Sequence, residues 1–157
     1  MTLQGIDELD RQILFALQRD GRETSSRDIA ERMDVSPSTV RKRIDRLEDQ
    51  GVITGYRAEV DFDRAGYQLQ VQISCSAPVP EREALADAAL EVDGVVSVRE
   101  IASGEENVQV RVVATDNDDL TRIAGELSEL GLAVSGELLI RRETFTPWDG
   151  FDENTEE

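Results

Sequence analysis

The sequence contains no histidine and a single cysteine, Cys75. Histidine is the commonest metal ligand and the side chain that titrates nearest neutrality, so its absence removes zinc, haem and histidine-dependent triads from the expectations. No catalytic or metal-ligating residue and no resident cofactor is assigned. One cysteine cannot close an internal disulfide. Lysine is almost as scarce, since Lys42 is the only one among 17 basic residues, and aromatics make up 4% of the chain. No apolar run approaches the roughly 18 residues that a membrane span needs. No basic segment followed by an apolar run opens the chain, so the expectation is a cytoplasmic protein without a membrane partner.

Carboxylate is what the sequence has in excess. Asp and Glu number 34 against 17 Lys and Arg, a net charge of -17 over 157 residues. A field of that size repels phosphate, so composition by itself speaks against nucleic acid. The distribution says otherwise. Residues 1–64 hold 11 basic and 14 acidic groups, net -3, while residues 65–157 hold 6 and 20, net -14. Abundant carboxylate with scarce lysine reads as adaptation to high salt, where a hydrated acidic surface keeps a protein dissolved although ordinary charge is screened within a few ångströms. An acidic protein working at ordinary salt is the alternative. The length suits one domain or two small ones and excludes a large multi-domain enzyme.

Ile6, Leu9, Ile13, Leu14 and Leu17 stand at helical spacing over residues 6–20, with Asp7, Glu8 and Asp10 in the first turn, where the helix dipole favours anions. Ser25 and Asp28 form a capping-box pair ahead of a short second helix with Ile29, Ala30 and Met33 inward. Ser36 and Pro37, a cap followed by proline at the first helical position, open a third helix that runs to about Gln50 and stops at Gly51. Residues 52–60 read as extended, and 52–66 as a linker. The pattern then alternates. Leu69, Val71, Ile73 and Cys75 oppose Gln70, Gln72 and Ser74 in a half-buried strand. A helix over about 81–91, strands at 95–101 and 108–112, a helix carrying Leu120, Ile123, Ala124, Leu127 and Leu130, and a strand over 134–141 follow. The order βαββαβ fits an antiparallel sheet with both helices on one face, an α+β fold.

Three short helices with a Met33–Ser36 connection are the mark of a helix-turn-helix, whose last helix enters the major groove. Val40, Ile44 and Leu47 make its apolar stripe. Opposite lie Ser38, Lys42, Asp45 and Asp49, flanked by Thr39, Arg41 and Arg46, with donors in the first half of the helix and carboxylates in the second. That polarity suits entry by the N-terminus, because phosphates reject carboxylates and accept hydroxyls, cations and the positive end of the dipole. The candidate contacts to double-stranded DNA are Arg22, Arg27, Ser36, Ser38, Thr39, Arg41, Lys42 and Arg46. The plain alternative is a set of i, i+4 charges on a solvated helix.

The stretches Ile6-Asp7-Glu8-Leu9-Asp10-Arg11-Gln12-Ile13-Leu14, Val35-Ser36-Pro37-Ser38-Thr39-Val40-Arg41-Lys42-Arg43-Ile44-Asp45-Arg46-Leu47-Glu48 and Gly51-Val52-Ile53-Thr54-Gly55-Tyr56 together resemble the Lrp/AsnC family of feast/famine transcription regulators. The resemblance covers nearly the whole chain. It implies a helix-turn-helix domain over 1–51, the extended linker over 52–66, a ferredoxin-like effector and oligomerisation domain over 67–142, and a tail over 143–157 whose acidic end is expected to be disordered. It also implies a homodimer that assembles further, commonly to an octamer, with an amino acid bound between subunits. The sheet face carrying Gln70, Gln72, Ser74, Gln109 and Arg111 would then form a hydrogen-bonded, partly wet interface.

Similar regulators carry Gly-Asp-aromatic-Asp between the second and third strands, where this chain reads Gly104-Glu105-Glu106-Asn107. Gly104, Glu105 and Asn107 are the effector candidates by that correspondence, and a solvated acidic turn is the alternative. Phe145, Trp148 and Phe151 stand three apart beyond the last strand, placed to pack on the domain or on a neighbour, with ligand stacking as the other reading. Two further functions compete with a regulator. One is a sirohaem-decarboxylase-like enzyme of the same architecture, disfavoured because that chemistry relies on histidine; the other is a ligand-sensing module that no longer binds DNA.

Overall fold

The computed structural model describes residues 5–152. The acidic end expected to be disordered lies largely outside them. The chain forms two compact units, one of residues up to Ala58 together with those from Thr144 on, the other of Glu59–Glu143. Among the described residues no helix is long and apolar enough to cross a membrane.

The first unit contains α1 (Glu8–Arg19), α2 (Ser26–Met33) and α3 (Pro37–Asp49). Each begins on a side-chain cap. Asp7 and Asp10 form a capping box on α1, Ser25 and Asp28 one on α2, and Ser36 caps α3 with Pro37 behind it. Each reciprocal cap satisfies amide groups that the first turn leaves without partners. At the far end of α3 the Gly51 amide reaches Glu48 O and the Val52 amide reaches Leu47 O, both at 2.9 Å. Gly51, at φ 69°, supplies the left-handed residue that this Schellman closure requires. Ile13, Leu14, Ala16, Ile29, Ala30, Val40 and Leu47 are buried together, with Ile44, Ile53 and Phe151 packed at the edge.

Phe151 reaches that cluster because the chain returns to α1 after the second unit. Trp148 donates its amide to Gln18 Oε1 at 3.2 Å, Gln12 donates to Phe151 O at 3.4 Å, and a 3₁₀ turn over Asp149–Phe151 sets the two rings edge-to-face at 4.6 Å. Of the three aromatics, Phe151 packs on the chain's own first unit. Phe145 and Trp148 keep most of their surface exposed. Phe151→Ala should lower the stability of the first unit by about 1–2 kcal/mol, less than the 3–5 of a fully buried phenylalanine. Trp148, the only tryptophan, reports it directly by fluorescence during urea unfolding; an unchanged midpoint would show that the returning segment contributes nothing.

The second unit contains β1 (Leu69–Ser76), α4 (Arg82–Ala89), β2 (Val95–Glu100), β3 (Val108–Ala114), α5 (Asn117–Glu129) and β4 (Ala133–Leu139). The strands pair antiparallel in the order β2-β3-β1-β4. Val71, Ile73 and Cys75 of β1 and Val108, Val110, Val112 and Ala114 of β3 meet Ile123 and Leu127 of α5 in one buried core. Burying each of those large side chains contributes roughly 1.5–3 kcal/mol. Gly94 makes the approach of α5 feasible, because a Cβ there would stand 2.5 Å from Ile123 Cδ1 at a φ of 97°.

Several expected boundaries shift. Pro78 and Pro80 start a 3₁₀ turn over Val79–Glu81, so α4 is shorter than the 81–91 helix and buries Ala86 and Ala89, while Ala88 is only half-buried. Leu130 caps the end of α5 and is exposed. The extended segment forms no strand, but it is anchored at its start. Tyr56 lies against Gly21 and donates its hydroxyl to Glu48 Oε1 at 2.9 Å. Burial and that hydrogen-bonded carboxylate push the phenol up to about 12.

Candidate nucleic-acid interface

The turn between α2 and α3 is Asp34–Ser36, closed by Asp34 in the left-handed conformation and by the Val35 amide on Ala30 O. Val40 and Leu47 are fully buried and Ile44 half-buried, so the apolar stripe of α3 faces inward as its spacing requires. Ser38, Arg41, Lys42, Asp45, Glu48 and Asp49 are exposed. Among the described residues no ion pair engages Arg41 or Lys42. These two cations therefore remain available to an external anion. Glu48, by contrast, is held by Tyr56.

The hydroxyls at the start of the helix are linked to one another. Ser36 Oγ accepts the Thr39 amide at 3.1 Å and lies 2.9 Å from Ser38 Oγ and 2.8 Å from Thr39 Oγ1. Ser36, expected among the DNA contacts, is thus engaged as the cap although its residue is exposed; Ser38 is exposed as well and Thr39 is half-buried. Arg22 pairs with Glu23 at 3.6 Å and Arg27 with Glu31 at 3.3 Å, with all four side chains well exposed. Such pairs are worth about 1 kcal/mol or less and exchange readily for phosphate.

Arg46, also expected among the DNA contacts, is engaged within the domain. Its guanidinium turns back toward α1, where Nη2 donates to Asp10 Oδ2 at 2.5 Å and to Gly5 O at 3.1 Å. Arg43 Nη1 donates to both Asp10 oxygens at 3.2 Å and to Asp7 Oδ2 at 2.6 Å. Asp10 is fully buried, and its Oδ2 also accepts the Asp7 amide at 3.0 Å. Partial burial raises the Asp7 carboxyl, but hydrogen bonds from Arg43 and the Asp10 amide together hold it below the usual carboxylate range. Arg43 is raised by the same contact. Sequence reasoning missed Asp10 and Arg43. The signal was present, since Asp10 falls on the stripe of Ile13 and Leu17, and Arg43 lies between Val40 and Leu47.

The first 50 or so residues match the family model described as winged helix-turn-helix DNA-binding, over residues 6–54. An uncharacterized HTH-type transcriptional regulator of Pyrococcus furiosus is 42% identical over 46% of this chain and 48% of its own length. The HTH-type transcriptional regulator LrpA1 of Halobacterium salinarum is 34% identical over 83% of this chain and 88% of its own. The chain belongs to the Lrp/AsnC family of helix-turn-helix transcriptional regulators. Its fold agrees. The feast or famine regulatory protein of M. tuberculosis, solved complexed with L-methionine, superposes with a TM-score of 0.75 over 89% of this chain and 95% of that one, at 26% identity.

The turn between β2 and β3 holds the effector candidates Gly104, Glu105 and Asn107. Gly104 has a φ of 97° and is exposed, as is Glu105. Asn107 is not available beside them. It is 5% exposed, and its side chain accepts the Ala77 amide and donates to Ala77 O, both at 2.8 Å. The side chain expected among the effector contacts is thus engaged in tying the start of β3 to the end of β1. Glu106 turns to Ser135, whose hydroxyl donates to Glu106 Oε1 at 2.8 Å.

The sheet face away from α4 and α5 carries half-buried Gln70, Gln72, Gln109 and Arg111, buried Ser74 and Val113, and exposed Leu138. Arg111 donates to Gln70 Oε1 at 3.2 Å and pairs with Glu143, while its Nε is buried without a partner.

Proposed function

We propose that this Lrp/AsnC regulator reads operator DNA with the N-terminal half of α3, through Ser38, Thr39, Arg41 and Lys42, with Arg22 and Arg27 on flanking phosphates. The exposed Arg41 and Lys42, unpaired beside the capped start of the helix, carry this reading. The regulator works as a homo-oligomer, at least a dimer, joined through the polar sheet face. A mixed row of amides and arginine there suits a hydrogen-bonded, wet contact. The working compartment is the cytoplasm and its salt is high. An amino acid or similar metabolite is the effector, received near Gly104 and Glu105; the methionine complex of the M. tuberculosis regulator supports that class of ligand. The relatives' names favour a regulator over the decarboxylase reading, whose histidines this sequence lacks.

Selection of duplexes from a random-sequence pool by the full chain, in molar KCl, tests the reading. A shared motif should emerge after a few rounds, with two half-sites related by a dyad as a dimer requires. Recovery of unrelated sequences would favour the sensing module without DNA function.

A further inference from the structure

Among the described residues Asp10 is the only ionisable side chain that is fully buried apart from Cys75. Burial of an ion pair brings little net stability, because removing the charges from water costs several kcal/mol that their attraction barely offsets, and apolar replacements hold helices together as well or better. What Asp10 supplies is direction. Its two oxygens engage Arg43 and Arg46, three residues apart on α3, and the amide of Asp7 at the start of α1. An apolar stripe tolerates some rotation of a helix about its axis, whereas two guanidiniums on one carboxylate do not.

The rotation matters because of what stands next to it. Lys42 and Arg46 are four residues apart, about 40° around the helix axis. A turn of that size would bring Arg46 to the bearing Lys42 holds and Lys42 to the one Ser38 holds. Arg43 and Arg46 are also two of the four cations of α3, and a cation that binds any phosphate adds affinity without sequence information.

We propose that Asp10 is a positioning residue for sequence discrimination: it fixes the azimuth of α3 and withholds Arg43 and Arg46 from the DNA backbone. This rests on the proposed reading of DNA by α3. Binding then depends on the few outward groups, Ser38, Arg41 and Lys42, and not on the whole basic content of the helix.

Asp10→Asn in the full chain tests this, with two probes: a duplex selected from a random pool by the wild type, and a scrambled duplex of equal length. The ratio of the two affinities should fall at least tenfold. The scrambled duplex should be bound as well or better, with a dependence of log K on log[KCl] steeper by up to about 1.8, the equivalent of two released arginines at 0.9 per contact. A folded variant that keeps the wild-type ratio overturns the proposal. Should Asp10→Asn not fold, Arg46→Gln decides, since Asp10 keeps Arg43. Its ratio should fall at least threefold with the salt slope unchanged. Equal loss on both probes, with the slope reduced by about 0.9, would make Arg46 a direct phosphate contact and overturn the proposal equally. A wild-type chain that selects no sequence overturns the α3 reading and this inference together; discrimination by the wild type with an unchanged ratio in the variants overturns the role of Asp10 alone.

Discussion

Raising KCl from about 0.2 M to about 2 M should leave the affinity for operator DNA level or increase it. An ordinary DNA-binding protein behaves oppositely, because each phosphate contact releases counterions and log K falls by about 0.9 per contact for each tenfold rise in salt. The difference lies in the charge presented to DNA. Between Ser25 and Gln50 six basic residues stand against six acidic ones. Two of the six cations, Arg43 and Arg46, are paired with Asp10. The remaining surface is net negative, so it approaches phosphate favourably only where salt screens the repulsion within about 3 Å, as at 1 M. Cations taken up between the protein's carboxylates and the phosphates reverse the usual counterion release. Fluorescence anisotropy on the selected duplex over that range measures the slope. A fall of two or more log units would show that carboxylates play no part in the complex.

Removing the Asn107 side chain should destabilise the second unit by about 2–6 kcal/mol. Asn107→Ala leaves the amide and carbonyl of Ala77 without partners at the buried end of β1, and each such group costs about 1–3 kcal/mol. Against a typical domain stability of 5–15 kcal/mol this is a large loss. Hydrogen exchange of the β1 and β3 amides reads it out, since those strands should open more often while α1–α3 keep their protection. Unchanged protection would return Asn107 to the ligand-binding turn.

Asn107 also shows where sequence reading stops. The alternation of Val71, Ile73 and Cys75 against Gln70, Gln72 and Ser74 predicts the strand and its faces, and the caps at Ser25 and Ser36 predict the helix starts, because these are local patterns of spacing and chemistry. Asn107 reads as part of a turn, whereas its partner is Ala77, 30 residues away. Arg46 shares that difficulty. It lies on the flank of α3, where a side chain can turn outward to solvent or inward to a neighbour, and the carboxylate that decides the matter is 36 residues earlier. Asp10 fits the first turn of α1 as a dipole-stabilising anion, a reading that is correct for its capping role and conceals its burial. The return of Phe151 to the first unit has no local signal beyond three aromatics spaced at intervals of three.

The outward cations at the start of α3 are expected to contact DNA. The most direct measurement is the affinity of Arg41→Ala/Lys42→Ala for the selected duplex at fixed molar KCl, together with its oligomeric state by light scattering. Neither side chain supports the fold, since both are exposed and neither has an ion pair among the described residues. Loss of about 2–4 kcal/mol is expected, at 1–2 for each charge-assisted contact, with assembly unchanged. Wild-type affinity in the double variant would contradict the assignment of α3 as the reading element.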